Sequence, residues 1–332
     1  MKRLVTFGEI MMRLSIPNQL RFENTPNFDL FFGGSESNVA ISLANFGMEV
    51  DYVSRIPEGV LGDRLINELY AKKVGTQFIQ RGGERLGIYF TENSTGPRKG
   101  RVVYDRQNSG MATVEQGMFD WGKIFKGASW FHWTGITPAL SKSASLATLE
   151  AIQTAGFKGL TVSVDLNVRN QLWKYGKKDS EVMPPLVSIS DILIGNAYSI
   201  EKMLGIKSKK GDKDLTEKVF NQFPKLRAIA LTSRIQEGSS KIIWGATLAT
   251  KKGFFESKKY TILPVIDRIG TGDSFTAGLI YGLNNFKDDQ ETLEFATAAG
   301  CLKHTLYGDI NTVTFEEVID LAQGDSSGIL FR

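Results

Sequence analysis

Short apolar runs alternate with longer helix-patterned stretches along nearly all of this chain, and that alternation constrains the fold more than any other feature. Leu4–Gly8, Val50–Arg55, Leu160–Asp165, Asp191–Ile194 and Ile229–Thr232 read as strands. Ser37–Phe46 reads as a helix with Val39, Ala40, Leu43 and Ala44 on one face, and Gly62–Lys73, Ser274–Leu283 and Thr292–Lys303 read likewise. A β-then-α rhythm predicts an α/β fold, a mostly parallel sheet with helices on both faces. Met11–Phe32 and Leu86–Arg106 break the rhythm with period-two segments such as Arg101-Val102-Val103-Tyr104. They are expected to form antiparallel strands of a small flap with one dry and one wet face, inserted at about 11–32 and 86–106 of a single domain spanning 1–332.

Composition excludes several alternatives. The 332 residues are 42% hydrophobic, ample for a sizeable core. A net charge of +4, from 40 basic and 36 acidic residues spread along the chain, requires neither nucleic acid nor an anionic membrane as partner. Lys207-Ser208-Lys209-Lys210 and Lys251-Lys252 are short enough for solvated loops. One cysteine, Cys301, rules out an internal disulfide, and two histidines, His132 and His304, make a zinc enzyme a poor fit. No segment resembles a signal h-region or a spanning helix, so a cytoplasmic protein is expected.

The segment Asp267-Arg268-Ile269-Gly270-Thr271-Gly272-Asp273-Ser274 is the best chemical signal. Its glycines permit a tight turn and close approach of a ligand, and a helix begins just after, so its unpaired amides and dipole end suit a phosphate. A carboxylate does not bind phosphate, so Asp273 beside those donors suggests a base that takes a proton from an attacking hydroxyl. The competing structural reading is an N-cap at Asp273 over a plain glycine turn. Neither a P-loop nor a dinucleotide fingerprint is present.

This turn resembles the C-terminal signature of the ribokinase-like (PfkB) carbohydrate kinases, and Gly33-Gly34-Ser35-Glu36-Ser37-Asn38-Val39-Ala40 resembles their first signature, in the expected order. The resemblance implies a three-layer α/β core with a β lid that often contributes to dimerisation. Gly8–Leu14, Tyr104-Asp105-Arg106, Asp165–Arg169 with Leu172-Trp173, and Lys303–Asp309 are similar, more narrowly, to 2-keto-3-deoxygluconate kinases. That likeness implies Asp273 as base, the backbone amides of Gly270, Thr271, Gly272 and Asp273 as anion hole, and substrate contacts from Gly34, Ser35, Asn38, Tyr89, Tyr104, Arg106, Arg169 and Asp309. Arg106 and Arg169 suit the planar carboxylate of a sugar acid. Structural alternatives are Tyr89 and Tyr104 filling the lid's apolar face, Asp309 ending a helix turn, and Arg106 pairing with Asp105 or Glu92 at the surface.

ATP is the implied donor, with Mg²⁺ held mostly by ATP and water, and Asn167, Asn196, Thr232, Arg234, Gly238 and Ala299 the implied nucleotide-side residues. Three departures stand out. Ser199 replaces the glutamate of an Asn-x-x-Glu at Asn196, Arg234 replaces a glycine of the nucleotide loop, and Arg268 replaces the usual threonine. Arg234 could reach phosphates or remain a solvated loop residue, and Ala298 and Ala299 could abut adenine or simply pack helices. Two other functions stay open: a kinase for a neutral sugar such as fructose or ribose, and a non-catalytic binding protein on the same fold. A homo-oligomer, a dimer through the lid, is the implied assembly.

Overall fold

A computed structural model describes residues 3–18, 20–95, 98–238 and 240–324. Within the expected lid stretches, Gln19, Gly96 and Pro97 lie outside the described residues. So do the first two residues of the chain, Ser239, and 325–332 of the expected single domain. The strands are, in chain order, β1 (Arg3–Phe7), β2 (Met11–Ser15), β3 (Asp29–Gly33), β4 (Val50–Ile56), β5 (Ile79–Arg81), β6 (Ile88–Glu92) and β7 (Arg101–Asp105). They continue with β8 (Ala128–Thr134), β9 (Thr161–Asp165), β10 (Ile192–Gly195), β11 (Ala228–Glu237), β12 (Lys241–Thr250), β13 (Gly253–Glu256) and β14 (Tyr260–Ile262).

The large sheet runs β13-β12-β11-β10-β9-β8-β1-β4-β5, with β14 also paired to β12. From β5 to β11 every pairing is parallel, while β12, β13 and β14 join antiparallel. The chain leaves β1 for β4 on one side and later for β8 on the other. Open α/β sheets bind ligands at the carboxyl ends of their strands beside such a reversal.

Side-chain alternation explains the two cores. In β1, Leu4 packs with Tyr52, Phe275, Phe295 and Ala299 on one face, while Val5 and Phe7 pack with Phe131, Trp133 and Val164 on the other. The helices Ser35–Asn45, Thr271–Asn285 and Asp289–Lys303 cover the first face, and Lys142–Phe157 helps to cover the second. The expected α/β class holds: this is the ribokinase-like fold.

The lid is a separate four-stranded sheet, β3-β2-β6-β7. Its outer pairs are antiparallel as expected, but β2 and β6 are parallel, which corrects the all-antiparallel reading. The reason is connectivity. Between β3 and β6 the chain passes through the large sheet and two helices, a crossover long enough to return in either direction. Among the described residues no helix is long and apolar enough to cross a membrane.

Candidate active site

The glycine turn is the first turn of the helix Thr271–Asn285, with Gly270 as its N-cap. Gly270 adopts φ +80°, and a Cβ there would collide with the carbonyl oxygen of Asp309, so glycine is required. The first helical bond runs from the Ser274 N–H to Gly270 O at 2.9 Å. The amides of Thr271, Gly272 and Asp273 precede it and have no acceptor within the helix. Among the described residues a Cβ on Gly272 would meet nothing within 4 Å, and the turn lines an open cavity.

Asp273 occupies the third helical position and does not cap the helix. Its carboxylate is held instead by the helix Ser35–Asn45. Ser35 Oγ donates to Oδ1 at 2.6 Å and Asn38 Nδ2 to Oδ2 at 2.7 Å. Asn167, at φ +37° in a turn that Asn tolerates, donates to Ser35 Oγ at 2.8 Å. Its own N–H donates to Asp165 Oδ1 at 3.0 Å. The two glycine signatures therefore meet at one carboxylate. Burial pushes Asp273 above the ordinary carboxylate range, against the pull of the Ser35 and Asn38 donors. Burial and the neighbouring Asp273 push Asp165 up to about 7.

These groups line a cavity of about 740 Å³ together with Gly34, Tyr89, Tyr104, Arg106, Arg169 and Asp309. Arg106 is buried, and its Nε donates to Glu9 Oε2 at 2.9 Å, not to Asp105 or Glu92. Asp105 pairs with Arg85, and Glu92 lies 3.9 Å from Arg98. Arg169 donates to the Val168 carbonyl and, among the described residues, makes no ion pair. Asp309 does not end a helix: it pairs with Arg13 at 3.0 Å and accepts from the Tyr89 hydroxyl. Tyr89 and Tyr104 stack with ring centroids 5.8 Å apart.

Glu9, Arg13 and Asp165 were absent from the residues expected at the site. For Arg13 a signal existed: it alternates with Met11 and Ser15 on the inward face of β2, where a charge needs a partner. It finds two, Asp309 and Asp267, the latter at 2.8 Å.

At the other end of the cavity lie Asn196, Thr232, Ser233, Arg234 and Arg268. Asn196 caps the helix Ala197–Leu204, and Ser199 closes a capping box on it, each side chain accepting from the other's backbone amide at 2.9 Å. Arg234 donates to Thr271 Oγ1 at 2.8 Å and lies over the Trp244 ring, 5.5 Å from its centroid. Crowding by protein atoms and by Arg268 lowers its pKa, though a guanidinium this basic stays charged at any physiological pH. Two expected nucleotide residues are not at the cavity. Gly238, at φ +81°, follows the end of β11 at the turn into β12. Ala299 is fully buried between helices, 3.3 Å from where a Cβ on Gly278 would sit, so helix packing is what it serves.

Known proteins resemble this chain over nearly its whole length. The 2-dehydro-3-deoxygluconokinase of Thermotoga maritima superposes with a TM-score of 0.93 at 39% identity, covering 98% of this chain and 100% of that one. The 2-dehydro-3-deoxygalactonokinase of Haloferax volcanii is 31% identical over 329 residues, 98% of either chain. The 2-dehydro-3-deoxygluconokinase of Bacillus subtilis is 26% identical over 94% of this chain and 93% of its own. Residues 1–315 match the profile described as pfkB family carbohydrate kinase, and this chain is a member of that family.

Proposed function

We propose that this carbohydrate kinase transfers the γ-phosphoryl group of ATP to the 6-hydroxyl of 2-keto-3-deoxygluconate or its 4-epimer. One observation carries the reading: Asp273, held by Ser35 and Asn38, stands beside the free amides of Thr271 and Gly272 in a cavity that also holds Arg169. The names of the Thermotoga and Haloferax relatives support the same substrate class, one for each epimer.

In the step itself the sugar hydroxyl loses its proton to Asp273 as its oxygen bonds to phosphorus. The bond from phosphorus to the β,γ-bridging oxygen breaks, and ADP leaves. Burial makes Asp273 a stronger proton acceptor than an exposed carboxylate, and its two hydrogen bonds fix its orientation. The free amides of Thr271, Gly272 and Asp273 stabilise charge on the transferring group. Arg234 and Arg268 add positive charge on the phosphate side, and Asn196 and Thr232 line the same cavity. Among the described residues no group of three His, Cys, Asp or Glu is placed to hold a metal. Mg²⁺ would therefore arrive with ATP, held by phosphate oxygens and water, and would supply charge neutralisation.

Arg169 reads the sugar carboxylate, because Arg106 already shares its charge with Glu9. Gly34, Tyr89, Tyr104 and the Arg13-paired Asp309 shape the sugar end. Asn167 acts through Ser35. A dimer through the lid would rest on Val102 and Val103, exposed on the edge strand β7.

The test is ADP production with Mg-ATP and a panel of the two keto-deoxy acids, fructose and ribose, for wild type and Asp273→Asn. Turnover confined to the acids, and a loss of about 10²–10⁴ in kcat for the variant, is expected. A wide preference for a neutral sugar would overturn the substrate, and an active Asp273→Asn would overturn the base.

A further inference from the structure

Behind the phosphate turn lies a buried ammonium that the mechanism above does not use. Lys303 ends the helix Asp289–Lys303 and is fully buried. Its Nζ donates to two main-chain carbonyls, Leu306 at 3.1 Å and Gly308 at 2.8 Å. A Cβ on Gly270 would lie 3.3 Å from its Cε, so its methylene stem backs directly onto the N-cap of the turn.

The loop that Lys303 grips is the one against which the turn rests. The Gly308 N–H donates to Asp267 Oδ2 at 3.1 Å, and Asp267 Oδ1 accepts from the Ile269 N–H at 3.0 Å. The Asp309 carbonyl is what keeps position 270 a glycine. Four charges face one another here: Lys303 and Arg13, Asp267 and Asp309. They balance. Without the ammonium the group carries one net negative charge behind amides meant to receive a phosphate.

Resting on the kinase reading of this site, we propose that Lys303 is a positioning residue: a cation tethered to the chain that fixes the Gly270–Asp273 turn and offsets the carboxylates behind it. Burial disfavours its charge, while Asp267, Asp309 and Asp273 favour it and Arg13 opposes it. A neutral side chain at 303 would leave two carbonyl oxygens facing an anionic space of ammonium size, where a free monovalent cation could bind.

The experiment compares wild type with Lys303→Met in choline chloride and in equal concentrations of ammonium or potassium chloride, reading kcat, both KM values and the melting temperature. Loss of one direct oxyanion donor costs about 10²–10³ in kcat, and a charge one layer further back should cost less, about 10–100-fold. We expect that loss mainly in kcat, with a several-fold recovery in ammonium or potassium and no response of the wild type to either. A folded Lys303→Met with kcat within about twofold of wild type, or a loss that neither cation restores, would overturn the proposal. If the variant does not fold, the wild type decides: activity that depends on added potassium or ammonium refutes a tethered cation, and activity in choline alone supports it. A wild type with no turnover under any salt would instead refute the kinase reading.

Discussion

Glu36 offers the cleanest measurement of what this site costs the fold. It lies one residue after Ser35, fully buried, in the first turn of the helix Ser35–Asn45. Its Oε1 accepts from Thr134 Oγ1 at 2.6 Å and Thr137 Oγ1 at 3.2 Å, and its Oε2 has no hydrogen-bond partner among the described residues. Burial, against the pull of the Thr134 hydroxyl, raises its pKa from 4.5 to about 7. The native state therefore holds this proton more tightly than the unfolded chain does. Stability falls as pH rises from about 4.5 to 7, and the change amounts to about 3 kcal/mol at 1.36 kcal/mol per pH unit.

Other groups also titrate. Asp165, Asp273 and Asp309 are raised and act in the same direction. His132 and His304, lowered to about 3 and about 4 by burial, act the other way below pH 6.5. Comparing wild type with Glu36→Gln cancels them. Gln keeps the acceptor for both threonines and never ionises. The variant should be within about 1 kcal/mol of wild type at pH 5 and about 3 kcal/mol more stable at pH 8, the latter about 6 °C in melting temperature at roughly 2 °C per kcal/mol. Thermal melts at both pH values read this directly. An equal difference at pH 5 and pH 8, or a less stable variant at pH 8, would refute the reasoning.

Two further expectations concern the cavity. Arg169→Met should raise KM for a keto-deoxy acid by about 10–100-fold, the loss of a hydrogen bond to a charged group, and leave KM for a neutral sugar unchanged in steady-state assays. Gly270→Ala should lower the melting temperature and kcat together. It adds about 1–2 kcal/mol of left-handed backbone strain and a collision with the Asp309 carbonyl, and an unchanged melt would count against the role given to this turn.

Local pattern carried the scaffold. Leu160–Asp165 became Thr161–Asp165 and Ser37–Phe46 became Ser35–Asn45, because strand and helix periods are set by neighbours in sequence. The helix expected at Ser274–Leu283 begins three residues earlier, at Thr271. Gly-Thr-Gly disfavours a helix interior, but first-turn residues need no helical acceptor for their amides, so that penalty weighs less. Charge pairing was the hidden part. Arg13 meets Asp309 across 296 positions and Arg106 meets Glu9 across 97, and no local periodicity records such partners. The two glycine signatures could be placed in one site only through family likeness, since Asn38 and Asp273 lie 235 positions apart.

Arg13 also sets how this enzyme can move. It belongs to β2 in the lid, yet it is bolted to Asp267 and Asp309, which brace the phosphate turn. The inner lid strand and the chemical centre are therefore a single rigid part. Strand β6 shares that bolt through Tyr89 and Thr91, so any gate for the sugar has to be cut from the edge strand β7 with Tyr104. The same division separates inheritance from adaptation: residues on the edge strand can be exchanged to suit another sugar while the reaction machinery stays assembled.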